Sequence, residues 1–80
     1  MFYGTQITLA RMLPGQSGIV VQIQGGPGMS NRLSSLGIRP GKRIRKVSSM
    51  LMRGPITIEI DRSQVAIGRG MANRIIVNLA

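Results

Sequence analysis

Neither cysteine nor histidine occurs anywhere in this chain, and only two acidic residues do, Glu59 and Asp61. The first absence excludes disulfides and thiolate metal sites, and leaves the redox compartment unmarked. The second removes the side chain that most often moves protons near neutral pH. Aromatic rings are confined to Phe2 and Tyr3 at the N-terminal end, so the domain offers no internal platform on which bases could stack. No apolar run approaches the roughly 20 residues that cross a bilayer as a helix. The opening residues also lack the basic and apolar regions of a secretory leader, and the expected compartment is the cytoplasm.

These gaps bound the chemistry. Glu59 and Asp61 stand two apart in an alternating segment, which places both on one outward face about 6.5–7 Å apart. That is the geometry of a solvated strand face, and we expect no catalytic residue and no enzyme activity. Two carboxylates without imidazole or thiolate cannot close a zinc or iron site, so no metal ligands and no cofactor are expected, with a weak surface site on the pair left open. The stretch from Gly37 to Lys42 has three intervening residues and no following Ser or Thr, and so is not a phosphate-binding P-loop. Gly25, Gly26, Pro27 and Gly28 either present amides to an anion at a helix start or simply turn the chain into that helix.

Eighty residues, 42% of them hydrophobic, make one globular domain spanning 1–80. Eleven Lys and Arg against two acids give a net charge of +9. Such an excess either attracts a polyanion or keeps a small apolar domain soluble. Gly and Pro punctuate the chain at 14–15, 25–28, 40–41, 54–55 and 68–70, and short β-branched runs lie between them. Ile56, Ile58 and Ile60 alternate with Thr57, Glu59 and Asp61, and Ile75, Val77 and Leu79 repeat the pattern; both read as strands with one buried face. In the run 18–24, Ile19, Val21 and Ile23 share one face. Val65 and Ile67 mark another strand, and 42–49 a weaker one whose Ile44 and Val47 fall on opposite parities, predicting a bulge or an edge position. Met29, Leu33 and Leu36 have helical spacing. Gly37 and Ile38 then supply the left-handed exit and apolar contact of a Schellman cap. The expected fold is mainly β: a small barrel of five to six strands with one short helix at about 28–36.

Two features read as binding surface. Arg39, Lys42, Arg43, Arg45 and Lys46 place five cations in eight residues, either to meet an anionic partner or to guard a strand edge against aggregation. Met50, Leu51 and Met52, followed by Arg53, stand at an expected hairpin tip before Gly54 and Pro55. They either cover an open barrel end or form an adaptable docking surface, and the same loop could support weak self-association.

The string Leu13, Pro14, Gly15, Gln16, Ser17, Gly18, and then Arg32, Leu33, Ser34, Ser35, Leu36, Gly37, Ile38, Arg39, Pro40, Gly41, resembles the FeoA family of ferrous iron transport accessory proteins. The segments 54–55 and 65–75 extend the resemblance, which runs in order from about residue 9 to 77. It departs from the family at Lys46, where a second inward apolar residue is common, and in a tip richer in methionine. The resemblance implies an SH3-like barrel and a cytosolic protein that assists the membrane transporter FeoB by contacting its cytoplasmic GTP-binding portion. FeoA-like domains also end iron-dependent repressors, so a nucleic-acid-binding or transcription-linked role through the 39–46 cations is the alternative. A family-level association with transition metal ions finds no ligand set here.

Overall fold

The computed structural model describes residues 5–49 and 54–79, with backbone alone at 48 and 49. Six strands form one antiparallel sheet: β1 (Gln6–Thr8), β2 (Ser17–Ile23), β3 (Arg43–Ser49), β4 (Ile56–Ile60), β5 (Ser63–Ile67) and β6 (Ile75–Leu79). Their spatial order is β1-β6-β2-β3-β4-β5. A 3-10 turn (Leu9–Arg11), helix α1 (Gly26–Ser35) and a single-turn helix α2 (Arg69–Ala72) complete the chain. The mainly β, SH3-like architecture expected from the sequence is the one observed, with six strands.

Period-two patterning builds the core where it is cleanest. In β4, Ile56, Ile58 and Ile60 are buried while Thr57 and Glu59 are not. In β6, Ile75 and Val77 are buried and Leu79 packs against the same cluster. Leu9 and Met12, from the 3-10 segment, and Ala72, from α2, close this core from outside the sheet; none of the three carries a periodic signal.

In β2 the parity differs from the sequence expectation. Val20 is wholly buried, whereas Ile19 and Val21 are 36% and 38% exposed. The cause is the neighbouring glycine. Gly18 pairs with Leu79 and Ile44, and a Cβ there would lie 2.4 Å from the Asn78 carbonyl oxygen and 2.7 Å from Val77 Cγ1. Only a bare backbone fits that inward position, so Gly18 and Val20 share the core face. A register shift between Val20 and Gln22 against β6 then returns Ile23 toward the core cluster.

β3 is a central strand, not an edge, lying between β2 and β4. The expected bulge is present as a register shift between Lys46 and Ser48. Helix α1 starts at Gly26, with Pro27 in its first turn where a missing N–H costs nothing. Its exit is the Schellman arrangement: Gly37 (φ 89°) donates to Ser34 O at 2.9 Å, and Ile38 to Leu33 O at 3.0 Å. Leu33 and Ile38 are both buried, but Leu36 is 39% exposed and is not part of the apolar face. Its position is the capping residue of the helix, already rotating off the buried stripe. The expected tip at Met50, Leu51, Met52 and Arg53 lies outside the described residues.

Candidate functional site

The basic segment does not act as one cluster, because strand alternation and the available acids divide it. Arg43 and Arg45 point to solvent from β3, with Ile44 and Lys46 between and beyond them directed inward. Arg45 pairs with Glu59 across the ladder, and its Nε and a terminal nitrogen reach Glu59 Oε1 at 3.1 and 3.0 Å. Lys42 Nζ lies 2.6 Å from Asp61 Oδ2. Both acidic residues of the chain are therefore engaged, each by a cation two or more strands' length away in sequence and adjacent in space. At these exposures each pair contributes up to about 1 kcal/mol.

The remaining outward cations meet no carboxylate among the described residues. Among the described residues Arg43 donates to Ser17 Oγ, at 3.4 Å, and Arg39 and Arg62 are exposed with no ion pair. Arg43, Arg45 and Arg62 line an open cleft of about 340 Å³ with Ser17, Ile44, Glu59 and Asp61. Of the cations the sequence singles out, Arg43 and Arg45 line this cleft and Arg39 and Lys42 do not, while Arg62, which the sequence does not single out, does. The available signal was a two-residue turn, Asp61 and Arg62, joining two alternating strands without a glycine.

Lys46 is the exception to the exposed set. It is 2% exposed, and its ammonium donates to the carbonyl oxygens of Leu9 (3.3 Å), Ala10 (3.2 Å) and Met12 (2.5 Å). Three N–H donors meet three carbonyls at the end of the 3-10 turn, where backbone acceptors lack helical partners. Its own backbone binds the following turn, with Gly15 N–H to Lys46 O at 2.7 Å and Lys46 N–H to Gln16 O at 2.9 Å. Burial, aided by the charge of Arg69, lowers its pKa from 10.5. Lys46 is thus an internal tie rather than part of a docking surface.

No group of three or more His, Cys, Asp or Glu side chains gathers among the described residues, and no helix among them is long and apolar enough to cross a membrane. What this face can do chemically is pair with anions and bury a modest apolar rim formed by Ile19 and Val21, with Ile19 directly opposite Arg43.

Comparison with known proteins agrees with this geometry. The FeoA domain family matches residues 7–79. A protein of Methanocaldococcus jannaschii named "Putative Fe(2+) transport protein A" is 38% identical over 69 residues, covering 86% of this chain and 82% of that protein. One of the same name from Campylobacter jejuni is 34% identical over 73 residues, covering 91% and 99%. Among solved structures, a crystal structure of an iron uptake regulatory protein, FeoA, superposes with a TM-score of 0.88 at 39% identity, covering 95% of this chain and 99% of that one. A manganese-dependent transcriptional repressor contains a similar domain, with a TM-score of 0.86 at 27% identity over 96% of this chain and 43% of its own. A family match over nearly the whole length, on a fold of the same order, makes the chain a member of the FeoA family.

Proposed function

We propose that this protein is an accessory of ferrous iron uptake that works by docking, in the cytoplasm, on the GTP-binding portion of a FeoB-like membrane transporter, and that it has no catalytic activity of its own. Family membership supports the iron-uptake setting. The observation that carries the docking reading is the division of charge: both acidic side chains are occupied by Lys42 and Arg45, while Arg39, Arg43 and Arg62 stand on the surface without an acidic partner among the described residues. Such a face complements an anionic protein surface and steers its approach. The methionine-rich segment 50–52 is proposed to add an adaptable apolar contact.

Titration of the full chain against the transporter's cytoplasmic GTP-binding portion, with and without guanine nucleotide, tests this. Saturable binding weakened by Arg43→Glu is expected. No binding at high micromolar concentration in either condition overturns the reading. Binding to duplex DNA, if it were the true role, would fall steeply with salt because phosphate neutralisation releases counterions.

A further inference from the structure

Among the described residues, the end of the sheet opposite β1 is unpaired. β5 has β4 as its one neighbour among the described residues, in unbroken register from Ile60↔Ser63 to Ile56↔Ile67. The two strands are joined by the two-residue turn Asp61 and Arg62. In such a hairpin the closing pair exchanges both of its hydrogen bonds, and bonded and non-bonded pairs alternate thereafter. Ser63, Val65 and Ile67 therefore bond to β4, while the N–H and C=O groups of Gln64 and Ala66 point away from the sheet. Among the described residues no backbone bond reaches those groups from the far side, and both residues are exposed.

Edges of this kind are normally blunted by lysine, proline, a bulge or very short length. β1 follows that rule, with three residues running into the 3-10 turn. β5 does not: Ser63, Gln64, Val65, Ala66 and Ile67 are uncharged, and the ladder has no register shift.

Beside this edge lies a strained cation. Asp61 (φ 51°) and Arg62 (φ 69°) both occupy the left-handed region, where this turn type favours Asn-Gly, and a residue with a Cβ costs about 1–2 kcal/mol there. Lys42 holds Asp61. Arg62, in the position best suited to glycine, has no carboxylate partner among the described residues. A side chain kept at such a position against local preference points to use.

We infer that the outer edge of β5, with Arg62 at its head, is a strand-addition site for an extended, acidic segment of a protein partner. Main-chain bonds to Gln64 and Ala66 supply the pairing, and Arg62 pairs with a carboxylate of the incoming segment. The occupant is acidic because the chain carries +9 and has both of its own carboxylates engaged. A second copy of this chain has both of its acidic side chains engaged and offers neither of them to Arg62. This inference rests on the docking reading above, and it specifies the mode of docking.

The test uses the full chain and the transporter's cytoplasmic GTP-binding portion, with amide exchange and affinity as readouts. In the complex, the amides of Gln64 and Ala66 exchange at least tenfold more slowly than in the unbound protein. Ala66→Pro removes an outward N–H without touching the β4 ladder, and it weakens binding at least tenfold. Arg62→Glu does the same. Exchange on the wild-type chain needs no variant to fold. Binding with unchanged exchange at Gln64 and Ala66, and undiminished in both variants, overturns strand addition while leaving docking intact. Concentration-dependent protection of these amides without the transporter portion assigns the edge to a second copy, and overturns the acidic segment. Absence of any wild-type binding overturns the docking reading and this partner together.

Discussion

A lysine placed where an apolar residue would ordinarily sit gives this domain its most distinctive internal contact. Lys46 satisfies the carbonyls of Leu9, Ala10 and Met12 at once. Lys46→Met keeps the volume but leaves acceptors of the 3-10 turn without a donor, at about 1–3 kcal/mol for each orphaned group. Leu9 O retains the Met12 N–H, so two acceptors bear the loss, and chemical denaturation should show a decrease of about 2–6 kcal/mol. The titration of Lys46 has a definite sign. Burial, with Arg69 second, holds its folded pKa below 10.5. Between that lowered value and 10.5 the unfolded chain binds more protons than the folded one, so stability rises with pH across the window. Below the window the penalty of burying the charge is fully present. The rise should appear in wild type as denaturation midpoints increasing with pH, and should vanish in Lys46→Met. At the turn, Arg62→Gly relieves the left-handed strain and should raise the melting temperature by about 4–8 °C for each kcal/mol gained. It does so at the expense of the cation proposed to head the docking edge.

At the scale of the element, Gly18 decides the face of β2. Gly18→Ala forces a methyl group against the Asn78 carbonyl and Val77, so β2 and β6 must separate. We expect a loss of about 2–4 kcal/mol, comparable to severe core overpacking, measured by urea denaturation. The same residue shows why parts of the fold were legible in the sequence and others not. β4, β6 and the Schellman exit could be read because one periodicity or one glycine determines each of them. β2 could not, because three consecutive β-branched residues, Ile19, Val20 and Val21, satisfy either parity, and the choice rests on the close approach of Gly18 to Val77 and Asn78, far along the chain. The position of β3 in the middle of the sheet was hidden by its charges, which resemble those of a protected edge. Lys46 was read as surface because nothing local announces three carbonyls from the segment 9–12. Of the candidate site, the outward Arg43 and Arg45 follow from alternation alone, whereas Arg62 emerges only once its backbone conformation is known.

For the whole molecule, charge and apolar contact should separate by their response to salt. If docking depends on residues 50–52 as proposed, raising ionic strength removes the steering contribution of Arg39, Arg43 and Arg62 and slows association. The complex, once formed, should dissociate at a nearly constant rate. Stopped-flow association against the transporter's cytoplasmic portion measures both. The double substitution Met50→Asp with Met52→Asp should reduce affinity at least tenfold with a melting temperature close to wild type. Unfolding of that variant would instead make the segment part of the core.

The chain contains two lysines, and the fold makes them chemically unequal. Lys42 stands in a partly open ion pair, while Lys46 is enclosed. An amine-reactive acylating reagent should therefore label Lys42 in the native protein and reach Lys46 only when the segment 9–12 lifts from β3. The rate of that second modification is a built-in clock for opening of the barrel, readable by mass spectrometry without introducing any probe.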